Sequence, residues 1–272
     1  MGSQSLNVDI EDLISVANAL ADAAAPETLR HFRSNSLSIS NKDQAGFDPV
    51  TVADRAAEKA IRSLLADLRP NDGILGEEFG SVESRSGFTW IIDPIDGTRG
   101  YMSGTPTWGT LIALRDQNGP VLGLIDQPYI GERFIGAGGR AWIAGPHGEA
   151  ELQTRQDTTL EAAVLFTTFP EVGTEPERRA FEAVSSNVRL TRFGMDCYAY
   201  ALLAMGQVDL VIEAGLNAYD IQAPLALIEA AGGVVTDWSG QPLTGGGAVI
   251  AAGNRHIHGQ ALEIVRESLK QS

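Results

Sequence analysis

Trp90-Ile91-Ile92-Asp93-Pro94-Ile95-Asp96-Gly97-Thr98 is an apolar run broken off by two carboxylates, a proline and a glycine–threonine pair. Aromatic and β-branched residues from Phe88 to Ile92 predict a strand, and Pro94 is expected to stop it. Two aspartates three residues apart, just past a buried strand, are costly to desolvate unless a positive charge lies between them. A hard divalent cation with oxygen ligands, Mg²⁺ or Ca²⁺, answers that need. Gly97 lets the backbone approach a ligand, and Thr98 adds a hydroxyl beside it. Taken alone, the same residues also make an Asx-turn that closes a strand.

Other acidic segments bear on that choice. Gly76-Glu77-Glu78 follows the apolar pair Ile74-Leu75; adjacent acids repel and a cation would relieve them, although a solvated loop reads the same way. Asp48-Pro49-Val50-Thr51-Val52-Ala53-Asp54 carries a capping box, Thr51-x-x-Asp54, ahead of a helix with an apolar stripe of Ala57, Ile61, Leu64, Leu65 and Leu68. Asp54 falls in that helix's first turn, where the dipole favours negative charge. Further on, Asp220 precedes a helical stretch with Leu225, Leu227, Ile228 and Ala231, and a cap alone accounts for it; Pro224 is expected in that helix's first turn. A carboxylate has two oxygens, so capping and metal binding are compatible.

At 272 residues and 43% hydrophobic content, the chain fits two compact lobes or one large domain with ample core. A formal charge of −15 argues against a nucleic-acid partner. No apolar run reaches the length of a membrane span, and the opening MGSQSLNVDIED has neither the basic nor the apolar region of a signal peptide. Cys197 is the single cysteine, which excludes an internal disulfide and fits a reducing cytoplasm. The four histidines have no ligand spacing, and the glycines at 245–247 read as a turn rather than a dinucleotide site.

An amphipathic helix is expected over about 9–33. Strands near 74, 88–92, 107–115, 120–127, 132–137 and 140–143 predict an antiparallel sheet with helices to one side. From about 160 strands alternate with helices, which reads as an α/β half. The polar stretch from Gly148 to Thr159 is expected to divide an N-terminal α+β lobe, 1–150, from a C-terminal α/β lobe, 151–272.

Taken in order, PVTVAD (49–54), GEE (76–78), WIIDPIDGT (90–98), AYD (218–220) and EAAGGVVTD (229–237) resemble the inositol monophosphatase-like family of Mg²⁺-dependent, lithium-sensitive phosphatases across nearly the whole chain. The resemblance implies an α+β fold, a layered α/β/α/β/α sandwich with the metals between the lobes, and a homodimer. It implies that Glu77, Asp93, the Ile95 carbonyl, Asp96 and Asp220 bind two Mg²⁺ ions, with a third, weaker one near Glu77. It further implies that Thr98, ordered by Asp54, aims the attacking water, that the Gly97 and Thr98 amides hold phosphate, and that Lys42 lies near that water. Tyr219 stands where the family usually has tryptophan.

Thr98 is followed by Arg99-Gly100-Tyr101 and by GTPTWGTLIAL (104–114), and GMDCYAYALLA runs over 194–204. These segments resemble the histidinol-phosphatase branch of the family, which serves histidine biosynthesis; Gly100 and Met195 depart from it. Histidinol phosphate carries an ammonium and an imidazole. Asp196 and Glu213 are expected to pair with that cationic end, Asn217 to hydrogen-bond the imidazole, and Arg99 to line the same site. Asp196 reads equally well as a helix N-cap. The expected partner is a small phosphorylated metabolite, hydrolysed by metal-activated water. The alternatives are an inositol-1-monophosphatase or broad-specificity sugar phosphatase, and a non-catalytic interaction protein on the same fold, whose mark would be a lost metal ligand.

Overall fold

A computed structural model describes residues 9–34, 39–41 and 49–271; Lys42 lies outside the described residues. The helices are α1 (Ile10–His31), α2 (Val52–Leu68), α3 (Thr98–Ser103), α4 (Glu175–Ser185), α5 (Tyr198–Ala204), α6 (Ala218–Ala230) and α7 (Arg255–Lys270). A short antiparallel pair, β1 (Ile39–Asn41) and β2 (Pro49–Thr51), precedes α2. The strands of the first large sheet are β3 (Gly73–Gly76), β4 (Gly80–Val82), β5 (Thr89–Asp96), β6 (Gly109–Asp116), β7 (Gly119–Gln127), β8 (Glu132–Ala137), β9 (Arg140–Gly145) and β10 (Gly148–Glu151). Those of the second are β11 (Val164–Thr167), β12 (Leu190–Phe193), β13 (Leu210–Leu216), β14 (Val234–Asp237) and β15 (Gly247–Ala252). The sheet orders are β10-β9-β8-β7-β6-β5-β3-β4 and β12-β11-β13-β15-β14.

Period-two alternation along the strands decides the layers. Trp90 and Ile92 on β5 face one way, packing with Ile112 and Leu124 against Leu13 and Leu20 of α1 and Ile61 and Leu65 of α2. Ile91, between them, faces the other way and joins Leu111, Ile125 and Phe134 against α5 and α6. Those two helices also cover Val211, Val249 and Ala251 of the second sheet. The far face of that sheet, with Leu165, Leu210, Ile212 and Ile250, is closed by Phe181 of α4 and Ile257 and Val265 of α7. The result is an α/β/α/β/α sandwich, as the family resemblance implies. The eight-stranded sheet departs from the expected one-sided antiparallel sheet in two ways. Helices cover both faces, because its central strands are apolar on both, and β3 pairs with β5 in parallel.

α6 is apolar nearly all round, as befits a helix buried between two sheets. It lies very close to the first sheet because β7 and β8 present glycine beneath it. A Cβ at Gly123 would sit 2.2 Å from the Ala223 carbonyl oxygen, and one at Gly136 would sit 2.5 Å from the Leu227 Cα. That close approach brings Asp220, in the first turn of α6, to the end of β5.

The expected stop at Pro94 does not occur: β5 runs through it to Asp96. Asp93 lies opposite Leu111 but Asp96 lies opposite Gly109, so the ladder slips by one residue between them. Proline is tolerated in such a bulge because no ladder bond is required of it there. In a regular strand, side chains three apart point to opposite faces; the slip returns Asp96 to the side of Asp93.

Smaller departures have local causes. α1 ends at His31 rather than Arg33, whose φ of 57° lies in the left-handed region. α6 begins at Ala218, so Pro224 sits inside it and withholds the N–H that would bond the Asp220 carbonyl. The polar stretch after Gly148 opens with β10, the edge strand of the first sheet. Among the described residues no helix is long and apolar enough to cross a membrane.

Candidate active site

Asp54 is set by the start of α2. Its Oδ2 accepts from the Thr51 amide at 2.8 Å and the Thr51 hydroxyl at 2.5 Å, while Thr51 Oγ1 accepts from the Ala53 amide at 3.1 Å. The expected capping box is therefore present. Glu77 follows β3, its amide donating to the Ile92 carbonyl at 3.2 Å, which carries the acidic pair to the end of β5. Carboxylate oxygens of Asp54, Glu77 and Glu78 lie within 4.8 Å of one another.

A second cluster adjoins it. Oxygens of Asp93, Asp96 and Asp220 also lie within 4.8 Å of one another. Asp93 Oδ1 accepts from the Ile95 amide at 3.0 Å, and Asp96 Oδ2 from the Cys197 amide at 2.7 Å. Asp220 closes a capping box with Asn217, whose amide donates to Asp220 Oδ2 at 2.6 Å. Capping and membership of the cluster thus coexist in one carboxylate. Asn217 is the N-cap of α6, and its side-chain amide lies 3.5 Å from the same Asp220 oxygen.

The electrostatics of these groups are one-sided. Burial pushes Asp93 well above the usual carboxylate range, and the charges of Glu77, Asp96 and Asp220 push the same way. Asp96 is raised by burial and then by Asp220, Asp196 and Glu213. Burial raises Asp54 to about 7 against the pull of its Thr51 hydrogen bonds, and Asp220 to about 6. The charged neighbours that act on Asp93 and Asp96 are all anionic, so the carboxylates repel until a cation joins them. Hard oxygen donors at this spacing fit a divalent ion such as Mg²⁺.

Gly97 and Thr98 turn the chain from β5 into α3. Gly97 has φ 84° and is the N-cap of α3, which leaves it without a side-chain cap. The Thr98 hydroxyl donates to the Ile95 carbonyl at 3.1 Å and not to Asp54, whose carboxylate accepts from Thr51. The expected ordering of Thr98 by Asp54 is therefore not a direct hydrogen bond here.

Two of the four residues expected to select substrate line a pocket of about 220 Å³ beside Asp96 and Asp220; Arg99 and Asn217 do not. Asp196 and Glu213 are both in its wall. Glu213 accepts from the Thr168 amide at 2.9 Å, the Thr168 hydroxyl at 2.6 Å and the Tyr200 hydroxyl at 3.3 Å, yet burial raises it to about 7. Asp196 is not a helix N-cap: that place belongs to Cys197. Its carboxylate instead accepts from Thr107 Oγ1 at 3.0 Å and lies on the Gly97–Gly100 backbone. This explains Gly100, where a Cβ would stand 2.9 Å from Asp196 Oδ2 and 2.9 Å from Thr107 Oγ1. Arg99 is exposed, its guanidinium carbon 4.8 Å from the Phe169 ring centroid, and its charge acts on Asp196. Asn217 is not part of that wall.

Sequence reasoning missed Thr168, Phe169, Glu171 and Tyr200, which complete the pocket. One signal was available for the first three. They follow β11, and ligands of α/β sheets gather beyond the carboxyl ends of parallel strands.

The sequence model of the inositol monophosphatase family matches residues 9–270. A bifunctional phosphatase IMPL2, chloroplastic, of Arabidopsis thaliana is 42% identical, the alignment covering 96% of this chain and 77% of that protein. A histidinol-phosphatase of Mycobacterium tuberculosis is 34% identical over 92% of this chain and 96% of its own. Among solved structures, an inositol monophosphatase from Zymomonas mobilis superposes with a TM-score of 0.83 at 38% identity, over 96% of this chain and 100% of that one. With the fold, the acidic clusters and these relatives in agreement, the chain belongs to the inositol monophosphatase family and is a phosphoric monoester hydrolase.

Proposed function

We propose that this enzyme hydrolyses histidinol phosphate to histidinol and phosphate, as in histidine biosynthesis, with two Mg²⁺ ions held by Glu77, Asp93, the Ile95 carbonyl, Asp96 and Asp220. The observation that carries the substrate is the charge of the pocket. Beyond Asp96 and Asp220 its wall holds Glu171, Asp196 and Glu213, and among the described residues no lysine or arginine lines it. A neutral polyol gains little from three added carboxylates, whereas an ammonium and an imidazolium gain charge-assisted hydrogen bonds. The Phe169 ring stands in the same wall, with the Arg99 guanidinium carbon 4.8 Å from its centroid.

The chain's own groups divide the work. The Gly97 and Thr98 amides hold the phosphate at the start of α3. Donation of the Thr98 hydroxyl to the Ile95 carbonyl leaves its oxygen lone pairs to accept a proton of the attacking water and so orient it. Asp54, the buried member of the acidic cluster with Glu77 and Glu78, helps Thr98 orient that water. When bound, Mg²⁺ supplies the positive charge that offsets the phosphate dianion and makes a nearby water acidic.

A second reading, inositol-1-monophosphatase, draws on a relative of that name in Caulobacter vibrioides, 35% identical over 85% of this chain. Asp196 and Glu213 are also competent acceptors for hydroxyls. A purely non-catalytic role has no support, since the four side-chain ligand positions, Glu77, Asp93, Asp96 and Asp220, all carry a carboxylate. Family likeness also supports a homodimer, which light scattering tests. Phosphate release from histidinol phosphate, inositol 1-phosphate and a sugar phosphate, with and without Mg²⁺, tests the assignment. Release that persists in Asp93→Asn, or without divalent metal, would sink it.

A further inference from the structure

α2 carries Asp54, Glu58 and Arg62 at four-residue spacing, hence on one face. That face lies against the segment joining β3 to β4. Glu58 is fully buried. Its Oε2 accepts from the Glu78 amide at 2.7 Å, and its Oε1 accepts from the Phe79 amide at 3.2 Å and from Arg62 Nε at 2.7 Å. Arg62 donates onward to the Gly80 carbonyl. Room for the carboxylate comes from Gly76, where a Cβ would stand 2.1 Å from Glu58 Oε1. Arg55, one turn earlier, lies 3.7 Å from the Glu78 carboxylate.

We propose that Glu58 is a positioning residue for the metal centre: its carboxylate fixes the peptide that carries Glu77 and Glu78, and through it sets the affinity for Mg²⁺. Two amides of a tight acidic segment converge on one buried carboxylate, which holds that backbone against α2. Without that anchor, repulsion among Asp54, Glu77, Glu78 and Asp93 would open the segment, and a cation would have to draw it together again. Glu58 and Asp54 belong to one helix, so the same element registers Asp54 and the proposed ligand loop. Such outer partners of ligand groups are typically worth about 10- to 100-fold in metal affinity. The proposal rests on the reading of Glu77 as a metal ligand.

The test is Glu58→Gln, an isosteric change that keeps one acceptor and places an amide NH₂ against a second donor. Mg²⁺ binding is measured by calorimetry without substrate, alongside the Mg²⁺ concentration for half-maximal phosphate release, kcat at saturating Mg²⁺ and the melting temperature. Calorimetric affinity is expected to fall about 10- to 100-fold, the half-maximal concentration to rise by the same factor, and kcat to recover at saturating Mg²⁺. A variant that melts lower but binds Mg²⁺ as the parent does makes Glu58 a fold-stabilising group only and overturns the proposal. Glu77→Gln runs beside it. If that change leaves Mg²⁺ affinity intact, the ligand reading has failed; if it weakens affinity while Glu58→Gln does not, only the positioning role has failed. Should Glu58→Gln not fold, Glu58→Asp, which withdraws the charge from the loop amides by one methylene, is judged by the same outcomes.

Discussion

Replacing Asp54 by asparagine is expected to stabilise the metal-free protein while abolishing its phosphatase activity. Asp54 is 1% exposed and lies among Glu77 and Glu78. Burial first, and those charges after the opposing Thr51 bonds, raise it from 3.8 to about 7. A rise of that size corresponds to about 4 kcal/mol favouring the neutral carboxyl in the fold. The sign follows from linkage. The folded value lies above the unfolded one, so the neutral group's contribution is intact below about pH 4 and is lost as pH rises through about 7. Asparagine keeps an acceptor oxygen for Thr51 and never ionises. The advantage of Asp54→Asn in EDTA should therefore grow with pH, from little at about pH 4 to about 4 kcal/mol at pH 8. For a chain of this size that is roughly 10 °C in melting temperature, read by circular dichroism across the pH series. A variant no more stable than the parent at the alkaline end, or an advantage that does not grow with pH, refutes the reasoning.

Gly100→Ala should push Asp196 and Thr107 off the α3 backbone; kcat/KM for histidinol phosphate is expected to fall about tenfold, ~1.4 kcal/mol, while p-nitrophenyl phosphate is hydrolysed as by the parent. Glu213→Gln removes a buried charge from the pocket, with an expected loss on histidinol phosphate of about 1.5–3 kcal/mol; an equal loss on inositol 1-phosphate contradicts a role in cation recognition. Adding Mg²⁺ to metal-stripped protein at about 100 times its dissociation constant should raise stability by about 2.7 kcal/mol. Protons compete for Asp220, raised to about 6, so apparent Mg²⁺ affinity should increase from below that pH to above it; calorimetry at two pH values checks this.

Much of this site was legible because its residues are local. The apolar run ending in Asp93 and Asp96, the capping box around Asp54 and the acids after Leu75 each declare themselves within a few positions. Illegible features depend on partners far along the chain. The slip that lets β5 pass through Pro94 is a property of its pairing with β6. Asp196 looked like a cap because its true partner, Thr107, is 89 residues away. Glu58 read as one more charge on a helix, since only the fold brings the Glu78 and Phe79 amides onto it. Phe169 and Glu171 sit in a loop without a pattern of its own, and its place beyond the end of β11 makes it a pocket wall.

The central claim is that a divalent-metal phosphatase site opens onto a pocket built for a cationic substrate. The most direct test is the ratio of kcat/KM for histidinol phosphate to that for inositol 1-phosphate at saturating Mg²⁺. A ratio well above one, collapsing toward one in Glu213→Gln, is the predicted result. A ratio at or below one in the parent enzyme would contradict it.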